Sequence, residues 1–371
     1  MRRIFALFLG LAMTLALWTY PAQAYDVPTV SASSFVLMDA GTGTILAERN
    51  ADTQMLVAST TKILTAALVL EHTDPNDIVK IMPKAVGIEG SSMYLRAGEE
   101  IAVRDLLYGL MLASGNDAAV ALAYHVAGGI PEFAALMNEK AAELGMESSN
   151  FSNPHGLDAE DHYSTAQDMA LLTAWAMGID DFVQIASTRQ VQAAGRSLVN
   201  HNKLLWRYPG ALGVKTGFTK ASGRSLVSAA ERDGTLLICI TLSAPDDWDD
   251  HAALYDWGFA RYKYHAPITA GEVYATVPVI SGMHDQVDLI AEMCLSLLVS
   301  PDDVVTMDAR MPSFVYAEIR VGEQAGRVIV SVNGEPVLET RLLFAETVHL
   351  DESNRHGFWE DLRWRWDMIR R

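Results

Sequence analysis

From Ser59 to His72 the chain runs almost without a polar face: Ile63, Leu64, Ala67, Leu68 and Leu70 leave a helix little to turn toward water. Such a helix must be buried on most sides, so the flanking sequence has to supply layers that close over it. Its first turn nevertheless carries Ser59 and Lys62. Upstream, Phe35 to Asp39 and Thr44 to Glu48 flank Ala40-Gly41-Thr42-Gly43 and read as a hairpin. Downstream, helices are expected at Val103 to Ala113, Asp117 to Ala127 and Pro131 to Leu144, the last opening on proline and reaching Gly145. Ser164-x-x-Gln167 is a capping-box pattern ahead of Met169, Leu171, Leu172 and Trp175. Strands return at Leu212 to Thr219, Ser225 to Glu231 and Thr235 to Leu242, with Asp233-Gly234 as a tight turn, and Trp248 to Tyr262 reads as a helix covering them. Strands, helices, strands again and a closing helix predict an α+β domain with a mainly antiparallel sheet.

After Tyr262 the pattern changes. Val273 to Val277, Val315 to Val321 and Arg327 to Val332 are strand-like, and Asn333-Gly334 turns the last into Pro336 to Phe344. This predicts a smaller β-rich domain over 263–350 behind a first domain over 25–262.

The two ends carry different signals. Arg2 and Arg3 precede an apolar run from Ile4 to Trp18, and Ala22-Gln23-Ala24 supplies small residues for a signal peptidase, so residues 1–24 are expected to be removed on export. In the last segment, 351–371, Phe358, Trp359, Leu362, Trp366 and Ile369 fall near one helical face among Arg363, Arg365, Arg370 and Arg371. A basic amphipathic helix suits the interface of an anionic membrane, here the outer leaflet of the cytoplasmic membrane, and is too short and charged to span it; packing on the second domain is the alternative. A formal charge of -18 argues against nucleic acid as a partner. Two cysteines, Cys239 and Cys294, write no disulfide framework and are expected to be buried free thiols in different domains.

Three short motifs occur in order: Ser59-Thr60-Thr61-Lys62, Ser114-Gly115-Asn116 and Lys215-Thr216-Gly217. Three residues apart at a helix start, Ser59 and Lys62 share a face. A lysine buried among apolar neighbours loses its preference for charge and can take a serine proton, while helix N-terminal N–H groups stabilise an oxyanion. Ser114-Gly115-Asn116 lies between two expected helices, where Ser114 can relay a proton and Asn116 can hold a substrate amide and steady Lys62. On the strand, Lys215 and Thr216 side by side suit a terminal carboxylate, and Gly217 lets backbone approach the ligand. Each motif alone also has a bland reading: a serine cap, an N-cap, a solvent-facing lysine.

Together the three motifs resemble those of the penicillin-binding and serine β-lactamase superfamily. Ala58-Ser59-Thr60-Thr61-Lys62, Ser114-Gly115-Asn116-Asp117, Asn153-Pro154-His155-Gly156-Leu157-Asp158 with His162-Tyr163-Ser164-Thr165-Ala166, and Gly213-Val214-Lys215-Thr216-Gly217-Phe218-Thr219 are similar to the low-molecular-mass D-alanyl-D-alanine carboxypeptidases. The resemblance runs from about Val30 to Tyr262, and residues 263–350 are similar to that family's β-rich stalk. It implies a β-lactamase/transpeptidase-like fold, Ser59 as acylated nucleophile, Lys62 as general base, Ser114 and Asn116 as relay and positioning groups, and Lys215 with Thr216 as carboxylate binders. The N–H groups of Ser59 and Phe218 would form the oxyanion hole. No cofactor is implied. The implied substrates are peptidoglycan stems ending in D-Ala-D-Ala, and β-lactams would stall as acyl-enzymes.

Departures from the pattern are Val57 where proline is common, Phe218 at a variable position, and an acidic stretch, Asp246 to Asp250, where some relatives carry a basic residue. His155 and His162 lack metal-ligand spacing and are expected to hold their loop together. A serine β-lactamase shares the motifs but needs a Glu-x-x-x-Asn arrangement that is not found here. Endopeptidase action on cross-links and a silent penicillin-sensing or wall-binding module remain as alternatives.

Overall fold

The computed structural model describes residues 26–351 and 358–369. The expected signal segment, Arg370 and Arg371 therefore lie outside the described residues. Five antiparallel strands form the main sheet: β1 (Ser34–Asp39), β2 (Ile45–Arg49), β3 (Ala211–Thr219), β4 (Gly223–Arg232) and β5 (Thr235–Leu242), in the order β2-β1-β5-β4-β3. Strand alternation splits the core across this sheet. Val36, Met38, Val227, Ile238 and Ile240 face a helical cluster. Phe35, Leu37, Leu226, Leu237 and Cys239 face the other way, against the helix Asp247–Arg261. Every residue of β1 is buried, because both faces are covered.

The cluster comprises α1 (Lys62–His72), α2 (Val103–Met111), α3 (Asn116–Ala127), α4 (Ile130–Glu143), α5 (Ala166–Met177) and α6 (Asp180–Ser187). A short α7 (Leu204–Arg207) precedes β3, and α8 (Asp247–Arg261) closes the domain. The apolar run after Ser59 is central as expected: Lys62 through Val69 are all buried. The capping box is displaced by one residue. Thr165, not Ser164, caps α5 by accepting the Asp168 N–H at 3.0 Å. Ser164 is instead drawn into a bridge with Met55 and a hydroxyl contact with Ser149.

Eight further strands make the β-rich domain: β6 (Lys263–Ile268), β7 (Val273–Ile280), β8 (Gln286–Ala291), β9 (Leu295–Val299), β10 (Val305–Arg310), β11 (Val315–Tyr316), β12 (Gln324–Val332) and β13 (Glu335–Phe344). Six of them form a sheet in the order β10-β12-β13-β8-β7-β11 around Val277, Val279, Leu289, Val328, Val330 and Leu342, while β6 pairs with β9. The run expected as a strand from Val315 to Val321 is one only to Tyr316. It pairs with β7 through Val315 and Tyr316, then Ile319 turns to Val348, so no single ladder carries the whole run. Tyr264 reaches back to Asp39 of β1 at 3.0 Å, and Arg261 at the end of α8 pairs with Asp302.

Cys239 is buried and free, as expected, but Cys294 is free and exposed. It precedes β9 in an irregular stretch, where its sulfur accepts the Ala270 N–H at 3.3 Å instead of packing inward. The last element, α9, spans Phe358–Ile369.

Candidate active site

Ser59 stands in a one-turn 3-10 helix, Ala58–Thr61, that runs directly into α1. Thr60 closes this turn by donating its hydroxyl to Val57 O at 2.6 Å. Two glycines let other segments reach it. A Cβ on Gly156, whose φ is +82, would lie 1.9 Å from Ala58 O. A Cβ on Gly217 would meet Val57 O at 3.0 Å and Ala58 Cβ at 3.3 Å. The Lys-Thr-Gly strand thus presses against the nucleophile turn itself. This constraint on Gly217 stands beside the expected approach of backbone to a ligand, since Gly217 also lines the cleft.

Lys62 is fully buried, and its Nζ lies 2.9 Å from Ser59 Oγ, 2.7 Å from Asn116 Oδ1 and 2.6 Å from His155 O. Burial holds its pKa well below the ordinary lysine value, Lys215 pushes it further down, and Asp117 pulls it partly back. A neutral amine has two N–H donors and one lone pair. Asn116 Oδ1 and His155 O can only accept, so they take the two donors. The Ser59 hydroxyl is then the group that donates to the lone pair, which is the arrangement a general base requires.

The second motif is held from beneath. Asn116 is the first residue of α3 rather than a loop residue, and its Nδ2 donates to Glu89 O at 2.5 Å. Asp117 receives Met93 N–H, Leu95 N–H and the Ser92 hydroxyl, tying the 92–95 segment to the helix start. Ser114 has a left-handed backbone, φ +59, and lines the cleft.

On β3, Lys215 is 1 % exposed and its Nζ donates to Thr216 O at 2.9 Å. Burial lowers it to about 7. An open cleft of about 610 Å³ is lined by Ser59, Ser91, Ser114, Thr216, Gly217 and Phe218 on the motif side. Neither Lys62 nor Lys215 is among its lining residues; both lie beneath the surface. Phe218 is 65 % exposed at the rim.

His162 and His155 are absorbed by their loop. His162 Nδ1 accepts the Ser152 N–H at 3.2 Å, so its Nε2–H donates to Thr61 Oγ1 at 2.8 Å. Burial lowers His162 to about 4 and His155 to about 3. Thr219, following the third motif, donates to Asp158 of the same loop.

Several cleft residues lie outside the three motifs: Asn200, His201, Lys203 and Trp206 before and within α7, and Arg224, Asp247 and Trp248 on β4 and α8. Within the acidic stretch, both Asp247 oxygens accept from Arg224 Nη2 at 2.8 Å and Oδ1 also accepts the Trp248 N–H at 3.0 Å, while Asp250 accepts from Ser31 and the Ala32 N–H.

A family model described as D-alanyl-D-alanine carboxypeptidase matches residues 21–246, more than half of the chain. This chain belongs to the D-alanyl-D-alanine carboxypeptidase family. A second model, the C-terminal domain of penicillin-binding protein 5, matches residues 262–350. Among relatives of this carboxypeptidase, D-alanyl-D-alanine carboxypeptidase DacF of Bacillus subtilis is 31% identical, covering 83% of this chain and 84% of its own. DacC of Escherichia coli is 32% identical over 88% and 86%. Penicillin-binding protein 5 of Haemophilus influenzae superposes with a TM-score of 0.70 at 29% identity, covering 87% of this chain and 98% of its own.

Proposed function

We propose that this chain is a serine D-alanyl-D-alanine carboxypeptidase that removes the terminal D-alanine from peptidoglycan pentapeptide stems and is acylated by β-lactams. The observation that carries the reading is Lys62, buried, depressed in basicity and 2.9 Å from Ser59 Oγ. Ser59 attacks the carbonyl of the penultimate D-alanine while its proton passes to Lys62. The backbone N–H groups of Ser59 and Phe218 receive the oxyanion. The proton then travels by way of Ser114 to the leaving amine, the C–N bond breaks, and D-alanine departs. Water cleaves the ester and restores Ser59. Asn116 holds Lys62 and the substrate amide, and the Thr216 hydroxyl, with Lys215 behind it, receives the terminal carboxylate. A β-lactam follows the same path to the acyl stage, but its leaving group stays attached.

The test is free D-alanine from diacetyl-Lys-D-Ala-D-Ala, with Ser59→Ala as control. Release by the wild type and its loss in the control support the reading. A wild type that becomes acylated by penicillin but liberates no D-alanine would instead favour a penicillin-sensing module, and rapid β-lactam turnover a β-lactamase.

The mature enzyme on this reading begins after Ala24, its catalytic domain ends at Tyr262, its β-rich domain at Leu350, and residues 351–371 lie on the outer face of the cytoplasmic membrane. Support comes from α9, where Leu362, Trp364 and Trp366 are exposed although Arg365 rests over the Tyr316 ring at 5.1 Å. No single helix among the described residues is long and apolar enough to cross a membrane.

A further inference from the structure

The register of β3 and β4 separates the two halves of the Lys-Thr pair. Lys215 lies opposite Val227, Thr216 opposite Leu226 and Phe218 opposite Arg224. Directly opposed residues share a face and alternate residues switch faces, so Thr216, Phe218 and Arg224 stand on one face and Lys215 on the other. Lys215 is thereby turned toward Lys62 and away from the cleft, whereas Arg224 is the diagonal neighbour of Thr216, within reach of a long side chain. Among the described residues that line the cleft, Arg224 and Lys203 are the only Lys or Arg side chains. Lys203 belongs to the wall that carries His201 and Trp206, before α7, whereas Arg224 belongs to the hairpin that carries Thr216.

Arg224 is also held in a defined pose. Its guanidinium lies over the Trp248 ring at 5.6 Å, and Asp247 grips it by Nη2 alone. The Asp247 side chain is 2% exposed, against 42% for Arg224. The Arg224 Nε, by contrast, is buried and has no hydrogen-bond partner. With Nη2 fixed on Asp247, the exposed part of the guanidinium, rather than the buried Nε, is left to meet a planar anion.

We propose that Arg224 is the cation that takes the terminal carboxylate of the leaving D-alanine beside Thr216, and that Asp247 is the residue that positions it. The proposal rests on the carboxypeptidase reading and adds the residue that selects a free C-terminus. It also gives the acidic stretch a role, since Asp247 at the start of α8 holds a base supplied by the neighbouring strand.

The experiment compares two donors with the same acyl part: diacetyl-Lys-D-Ala-D-Ala, and a diacetyl-Lys-D-Ala thioester whose leaving thiol carries no carboxylate. Arg224→Ala is expected to lower kcat/KM on the peptide roughly 10- to 100-fold, the range for a lost hydrogen bond to a charged group, with the thioester falling by no more than about threefold. Arg224→Gln, which keeps more of the stack on Trp248, serves if the alanine variant is poorly folded. Asp247→Asn should raise KM for the peptide more than it lowers kcat. The double variant Arg224→Ala/Asp247→Asn should be no worse than Arg224→Ala alone. Equal losses on both donors, or no loss on the peptide, overturn the assignment. A wild type that cleaves neither donor overturns the carboxypeptidase reading, and this assignment with it.

Discussion

Lys62 Nζ lies 2.9 Å from Ser59 Oγ and, on its other sides, within 2.7 Å of two oxygens that can only accept, Asn116 Oδ1 and His155 O. The base is therefore defined by its neighbours as well as by its burial, and altering those neighbours has measurable consequences.

The acid limb of the pH profile reports Lys62. A lysine whose folded pKa is depressed is uncharged, and competent as a base, only above that pKa, so kcat/KM falls as pH drops through it. Lys215 contributes to the depression. Lys215→Met removes a neighbouring positive charge, which raises the Lys62 pKa and moves the acid limb to higher pH, alongside any overall loss of rate. Acylation by a chromogenic β-lactam measured from pH 5 to 9 checks this, about two units either side of neutrality. An unmoved limb contradicts it.

Stability should decline on the acid side because of buried histidines. His251 is fully buried between Ser228 and Thr241, and burial lowers it to about 3; His155 and His162 are lowered to about 3 and about 4. Between these values and the ordinary 6.5 the unfolded chain binds protons that the folded chain refuses. Their contribution is thus complete above the ordinary histidine value and drains away as pH falls toward the depressed ones. Thermal melts across this window should show Tm dropping with pH, and His251→Gln should have a shallower slope than the wild type. Equal slopes would exclude His251 as a source.

The C-terminal segment should account for binding to anionic membranes. Removing residues after Asn354 is expected to abolish sedimentation with phosphatidylglycerol-containing vesicles while D-alanine release is retained. Undiminished sedimentation of the truncated form would rule the segment out as an anchor.

Much of this fold could be read from sequence where local signals and tertiary demands agree. Asp233-Gly234 fixed a hairpin, and β5 spans Thr235–Leu242 as expected. The all-apolar stretch after Ser59 left α1 no place but the interior. Errors arose where a residue had two available partners: Ser164 fits a cap, yet Met55 and Ser149 claim it and Thr165 caps instead. Cys294 looked like a core residue because its neighbours are apolar, but it sits at an irregular junction.

At the site, the motifs pointed to Ser59, Lys62, Asn116 and Lys215 because each chemistry needs a particular side chain, and the fold brings Ser59, Lys62 and Asn116 into hydrogen-bond contact. They did not reveal Arg224 with Asp247. These two lie 23 residues apart, and meet only because α8 packs back across β4. A basic residue on the strand paired with the Lys-Thr-Gly strand, followed by an acid at the start of the next helix, was the available clue. Nor does sequence spacing tell which side of the strand Lys215 takes, since that depends on the register against Val227.

The trio of oxygens around the Lys62 amine serves the reaction in both directions. Once Ser59 has surrendered its proton, the resulting ammonium has three hydrogens and finds three oxygens already in place, that of Ser59 in the tetrahedral adduct among them. The cation formed midway is thus accommodated without water entering and without a side chain swinging. Charge can appear and vanish there at the cost of almost no atomic rearrangement.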